Sequence, residues 1–261
     1  MSLNLLIVEG NNPKDSEVFI RAAKATCSEN LKNIVLRLEP SSKATIINPA
    51  NDNETKEALA NMDQYNGIIF TGGAMRLNDM TSEIKKHINF AKNCFKYNKK
   101  ILAICWGLQV CTTAAGGKVA PGKNGAHIGI ALEVEINEDG KNNPIYKNKK
   151  IKFNTPAFNF DEVCELPKGA TLLASDKVNN IMGVYFKSDN SEVWGLQYHP
   201  DYEYWQMINL SKERMGKMIA KEYFQDEETF NQHIDLIKNE EKKLDFKNKT
   251  YEIKNWLDIL K

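Results

Sequence analysis

The chain has 261 residues, 42% of them hydrophobic and 26% charged, enough to bury the core of one large domain or of one domain with an appendage. Its formal net charge of +1 gives no reason to expect a nucleic-acid or membrane surface, and no run approaches the ~18 uninterrupted apolar residues of a membrane span. Five cysteines, an odd number with no CxxC pair among them, argue against a disulfide framework or a zinc site and point to a reduced, cytoplasmic protein.

The N-terminal MSLNLLIVEGNN has no basic n-region and meets Glu9 too early for a signal peptide, so LNLLIVEG (3–10) is predicted as the first buried strand. SEVFIRAAKATCSEN (16–30) carries Val18, Ala22 and Ala25 at helical spacing, and ATIINPA (44–50) and GIIFTGG (67–73) read as strands closed by turn residues. The segment 82–100 sets Ile84, Ile88, Ala91 and Phe95 on one helical face, and this leaves His87 as an expected surface residue. ILAIC (101–105) follows as a strand, and GLQVCTTAAGG (107–117) opens a helix of small residues that stops at its glycine pair. Strands alternating with helices predict an α/β fold around a mostly parallel sheet. From about 118 to 200, IALEVEI, IKFNTPAF, IMGVYF and VWGLQY have less helix between them and predict an antiparallel extension. Residues 211–261 hold eleven Lys/Arg and eleven Asp/Glu, which predicts solvated helices, with Ile253, Trp256, Leu257 and Leu260 forming a stripe that docks the last one. The expected organisation is a domain over 1–210 and a helical extension over 211–261 packed on it.

Ligands of open α/β sheets sit beyond the carboxyl ends of the strands, which draws attention to TGGAM (71–75) and CWGLQ (105–109). The second has the form of a nucleophile elbow. A strand delivers Cys105 to a tight turn with small neighbours, Ala103 and Gly107, and a helix N-terminus behind it lowers a thiol pKa. By itself the stretch is equally compatible with a buried core cysteine. Of four histidines, His233 reads as solvated and His127 as a loop residue. His199 instead ends an apolar strand before Pro200 and has Asp201 two residues on, able to orient its ring. The glycines of TGG let backbone N–H groups approach a substrate closely. Thiol, base, orienting carboxylate and amide nest together fit acyl transfer through a thioester.

GIIFTGG, ILAICWGLQ…AAGG and WGLQYHPD, in this order, resemble the class I (triad-type) glutamine amidotransferases, and in particular stand-alone GMP-synthase-like glutaminase domains; the likeness spans about residues 3 to 205. It implies a flavodoxin-like three-layer fold, with Cys105 as nucleophile, His199 as general base and acid, and Asp201 as the third member. It also implies oxyanion-hole amides from Gly73 and Trp106, substrate contacts from Gly72 and Gln109, and no metal or cofactor. The implied reaction hydrolyses the glutamine side-chain amide and delivers ammonia to a synthetase partner, with no nucleic-acid or membrane partner. This chain has Ala103 where the family has Gly, Leu108 where it commonly has His, and Asp201 where it has Glu, with Glu203 as a second carboxylate nearby. Asn159 and His127 stand where His and Glu are common, so the acyl donor is either glutamine or another γ-glutamyl compound. The alternatives are thus a γ-glutamyl hydrolase acting on a γ-glutamyl amine and a non-catalytic regulatory subunit.

Overall fold

The computed structural model describes residues 2–261. Strands β1 (Asn4–Val8), β2 (Lys43–Ile47), β3 (Gly67–Phe70) and β4 (Lys100–Ile104) alternate with helices α1 (Pro13–Ala23), α2 (Cys27–Leu38), α3 (Asp52–Ala60), α4 (Ser82–Phe95) and α5 (Trp106–Ala114). A strand-rich stretch follows: β5 (Lys118–Pro121), β6 (His127–Ile128), β7 (Ala131–Ile136), β8 (Lys152–Thr155), β9 (Phe158–Asn159), β10 (Asp161–Glu165), β11 (Thr171–Ser175), β12 (Gly183–Ser188) and β13 (Ser191–Leu196). One short helix, α6 (Glu138–Asn142), interrupts it, and α7 (Tyr204–Ala220), α8 (Glu227–Glu241), α9 (Phe246–Lys249) and α10 (Tyr251–Ile259) close the chain. Among the described residues no helix is long and apolar enough to cross a membrane.

Nine strands form one sheet in the order β2-β1-β3-β4-β13-β12-β11-β7-β8. The half from β2 to β13 is parallel, and β12, β11, β7 and β8 extend it antiparallel. This is the α/β architecture expected from the alternation of elements. Both faces of β1 are covered: Leu6 and Val8 join one core with α3, α4 and α5, while Leu5 and Ile7 join another with α2 and α10. Burial on both faces is why such strands read as unbroken apolar runs rather than alternating ones.

Two sequence expectations are corrected here. The predicted helix over 16–30 is two helices, because Lys24 turns into the left-handed region (φ 66°) and Thr26 starts a new helix. Thr26 Oγ1 accepts from the Glu29 amide at 3.2 Å and Glu29 returns the bond to the Thr26 amide at 3.0 Å, the reciprocal capping box of a T-x-x-E start. His87 is 1% exposed rather than on the surface. It lies three residues after Ile84, on the same helical face, and its ring meets Trp106 edge-on at 6.0 Å.

Burial without a counter-charge lowers the His87 pKa to about 4. With the folded value below the ordinary 6.5, the unfolded chain takes up this proton first as pH falls. Stability is therefore lost between pH 7 and pH 4, by about 3 kcal/mol for this group. Glu9, whose pKa burial raises, acts in the opposite sense, so the comparison must be with a variant. We expect urea midpoints of His87→Leu to show a shallower loss toward pH 4 than wild type; parallel pH profiles would contradict the assignment.

The C-terminal helices tie the sheet to the end of β13. Trp256 is fully buried against Gly67, where an added Cβ would meet its ring at 2.7 Å. Glu252, also fully buried, accepts from Tyr198 Oη at 2.7 Å and pairs with Lys149 at 3.0 Å. Lys249 is 1% exposed and meets Glu203 at 2.5 Å. These contacts grip the chain on both sides of His199 and Asp201. The boundary expected at residue 210 falls inside α7, a single continuous helix.

Candidate active site

Four neighbouring parallel strands, β1, β3, β4 and β13, send their carboxyl ends to one place, as open α/β sheets do. In the β4–β13 register Ile104 faces Leu196, so Cys105 and Gln197 leave the sheet side by side, and the Cys105 amide donates to the Leu196 carbonyl at 2.7 Å. Cys105 has φ 50° and ψ −106°, a conformation that costs a non-glycine residue about 1–3 kcal/mol. Such strain at a strand-to-helix turn holds a side chain clear of both elements. Gly107 is required by the same turn, because a Cβ there would lie 2.3 Å from the Phe70 carbonyl oxygen.

His199 and Asp201 follow β13 in a turn anchored by the His199 amide, which donates to the Pro156 carbonyl at 2.8 Å. His199 Nδ1 lies 3.0 Å from Asp201 Oδ1. That leaves Nε2 free of Asp201, and the Cys105 sulfur is near enough for its charge to act on the same ring. Asp201 is fully buried, its carbonyl accepts from Asn30 Nδ2, and its second carboxylate oxygen has no partner among the described residues. Burial opposes charge on His199, yet the Cys105 sulfur and the Asp201 carboxylate together push its pKa up to about 10. An imidazolium beside a cysteine stabilises the thiolate, the nucleophilic form. Glu203, the second carboxylate of the turn, is engaged by Lys249 instead.

Gly72 and Gly73 come from the β3 loop. Gly72 faces the histidine so closely that a Cβ would sit 2.6 Å from His199 Cε1. Its φ is outside the left-handed region, so alanine is conformationally allowed and only the ring is in the way. We expect Gly72→Ala to lower kcat about 10²-fold by displacing the imidazole, with the far-UV circular dichroism retained; a wild-type rate would remove the contact from the account. Among the described residues neither the Gly73 nor the Trp106 amide finds a protein acceptor. Trp106 opens α5, where the first amides of a helix are free by construction.

Cys105, Trp106, Gly73 and Gln109 line a cavity of about 460 Å³, within the range that takes a small organic ligand. Gln109 Nε2 is held by the Asp161 carbonyl at 2.9 Å, and Asn159 Nδ2 donates to the same oxygen at 3.1 Å. Behind it His127 bridges Asn159 Oδ1 at 2.9 Å and Asp176 Oδ2 at 2.8 Å, so this histidine is a buried brace for the cavity wall. His233 is half-buried and bonds the Ile128 carbonyl, away from Cys105. Cys111 is a fully buried core thiol whose pKa burial raises, as a non-reactive cysteine's should be.

Sequence reasoning missed Gln197, whose Nε2 donates to Cys105 Sγ at 3.5 Å. Its signal was present, since Gln197 lies two residues before His199 and an extended chain turns such residues to one side. It also missed Tyr202, packed edge-on against His199 at 5.1 Å, and the wall that Glu213, Arg214, Lys217 and Met218 of α7 add to the cavity.

The family model described as glutamine amidotransferase class-I matches residues 24–206. A γ-glutamyl-L-1-hydroxyisopropylamide hydrolase from Pseudomonas sp. is 26% identical across 99% of this chain and 93% of its own length. Gamma-glutamyl peptidase 5 of Arabidopsis thaliana is 32% identical over 54% of this chain and 55% of its own, about half of each protein. One subunit of the glutamine-hydrolysing GMP synthase of Methanococcus vannielii is 27% identical over 64% of this chain and 76% of its own. Among solved structures, a glutamine amidotransferase from Thermotoga maritima superposes with a TM-score of 0.71 over 100% of this chain and 98% of its own, at 17% identity, a likeness of fold. The elbow, the histidine turn and the glycine loop lie within the matched span or at the strand ends that frame it, and the chain belongs to the class-I glutamine amidotransferase family.

Proposed function

We propose that this protein hydrolyses a γ-glutamyl amide through a γ-glutamyl thioester on Cys105, with His199 and Asp201 completing a catalytic triad. The observation that carries the reading is the strained turn at Cys105 set against a histidine whose other nitrogen is paired with a buried aspartate. The thiolate attacks the side-chain carbonyl carbon, and the Gly73 and Trp106 amides receive the oxyanion. His199 gives its Nε2 proton to the leaving nitrogen, the C–N bond breaks, and the amine departs. Water enters, His199 takes one of its protons, and the resulting hydroxide displaces the thiolate to release glutamate. Asp201 keeps Nδ1–H directed toward itself throughout and stabilises the imidazolium. Gln109 borders the space left for the γ-glutamyl group, and Gly72 lies against the His199 ring.

Two leaving groups are open to this chemistry. Ammonia, from glutamine, suits a partner synthetase, and the part-length likeness to GMP synthase subunits favours it. A larger amine suits a free-standing hydrolase, and the likeness along 99% of the chain to a γ-glutamyl amide hydrolase favours that. The cavity wall built by α7 beyond residue 206, where the family match ends, supports the larger amine. We take the free-standing γ-glutamyl amide hydrolase as the better reading, with glutamine as its simplest substrate. The test is glutamate release from glutamine and from a panel of γ-glutamyl amines by the isolated protein. Turnover of amines faster than of glutamine is expected; glutamine hydrolysis alone would return the assignment to ammonia delivery.

A further inference from the structure

Helix α7 leaves the histidine turn and runs Glu213, Arg214, Lys217 and Met218 along the cavity that holds Cys105, with Lys221 at its C-terminal cap. Most charge there is accounted for. Arg76 grips Asp161 with two bonds, at 3.1 and 2.5 Å, and Arg21 lies 3.7 Å from Glu213. Arg214 is different. Among the described residues no carboxylate lies within 4 Å of it, although it is half-buried and burial lowers its pKa. Its guanidinium instead rests on two aromatic rings, 4.9 Å from the centre of Phe158 and 5.7 Å from that of Phe19. Aromatic faces hold a cation but accept none of its five N–H bonds in the plane of the fork. A guanidinium partly withdrawn from water, with its donors unspent, is positioned to take a carboxylate.

Its location says which carboxylate. Arg214 also borders a small recess shared with His199 and Gly73. The leaving nitrogen must come within hydrogen-bond reach of His199, because that ring supplies its proton. When the leaving group is an α-amino acid, its carboxylate is two bonds from that nitrogen and falls on the same side. Lys217 and Lys221, three and seven residues beyond Arg214, continue the same helical face outward and are exposed, extending the positive field to the mouth.

We propose that Arg214 makes the enzyme selective for γ-glutamyl amides whose leaving amine is anionic, foremost γ-glutamyl amino acids, by pairing with the leaving group's carboxylate. This rests on the reading of the site as a γ-glutamyl amide hydrolase and narrows its substrate class. Arg214 lies beyond residues 24–206, so the selectivity would come from the C-terminal helix rather than from the segment that the family model matches.

The test compares kcat/KM for γ-glutamylglycine with that for γ-glutamylglycinamide, which differs only in having a neutral amide in place of the carboxylate. Wild type should prefer the glycine compound by about 10- to 100-fold, the range of a charge-assisted pair. In Arg214→Met the ratio should collapse toward one, and Arg214→Lys, which keeps the charge without the fork, should retain part of it. A wild type with no preference overturns the proposal. So does an Arg214→Met variant that slows both compounds equally, because the guanidinium would then hold the α-carboxylate of the γ-glutamyl group or serve the fold. Failure to hydrolyse any γ-glutamyl compound, glutamine included, overturns the underlying hydrolase reading, whereas turnover without discrimination overturns the selectivity alone.

Discussion

We expect Cys105→Ala to remove γ-glutamyl amide hydrolysis, with kcat falling about 10⁴- to 10⁶-fold while the fold persists. The size of the effect follows from the way triad members act as one unit: without the nucleophile the base has nothing to activate, and only substrate binding and the oxyanion amides remain. A factor of that order is about 5–8 kcal/mol of transition-state stabilisation. Persistence of the fold follows from the side chain's small size and its position at a helix N-terminus, where the loss of one sulfur leaves the sheet register untouched. The check is steady-state glutamate release beside a thermal or urea melt. Residual turnover above about one per cent would mean that another group carries the acyl chain.

Asp201→Asn should be nearly as severe, about 10⁴-fold in kcat, because an amide can donate to Nδ1 and so stabilise the wrong imidazole tautomer. The buried position sharpens this. Asp201 is fully buried, and its charge is one of the two that lift the His199 pKa to about 10. Removing it should lower that pKa and shift the alkaline limb of kcat/KM to lower pH. Asp201→Glu keeps the charge and should stay within about tenfold of wild type. Equal, near-wild-type rates for both variants would remove Asp201 from the triad; its neighbour Glu203 is not a ready substitute, since Lys249 holds it.

The parts of this arrangement that could be read from the sequence were those written in short stretches. Each of TGG, CWG and HPD sits at the end of an apolar run, and a parallel sheet collects such ends without further instruction. The stripe of α4 was equally local, and Ile84, Ile88, Ala91 and Phe95 are all buried. His87 was misread only because the apolar members of that face define the stripe, and a histidine among them carries no apolar signal of its own. The helix break at Lys24 was legible too, in the capping-box letters T-x-x-E, but the helical spacing of small residues around it masked the signal.

What could not be read was set by distance along the chain. The charge-balanced tail resembles a solvated surface apart from its docking stripe, yet Lys249 and Glu252 are buried as well. Their partners, Glu203 and Lys149 with Tyr198, lie 46 to 103 residues away, and no local pattern announces a pairing at that range. The same holds for Arg214, which meets Phe19 and Phe158 from opposite regions of the sequence. Charge counting along a segment reports its net field and says little about which members find partners indoors.

The central claim is a covalent γ-glutamyl group on Cys105. Acid quenching during turnover of a γ-glutamyl amide, followed by peptide mass spectrometry, reads it directly. The account predicts one γ-glutamyl adduct, confined to the peptide carrying Cys105, absent from Cys105→Ala and lost on incubation with neutral water. Turnover that continues with Cys105 unmodified, or an adduct that maps to Cys27, Cys94, Cys111 or Cys164, would contradict it.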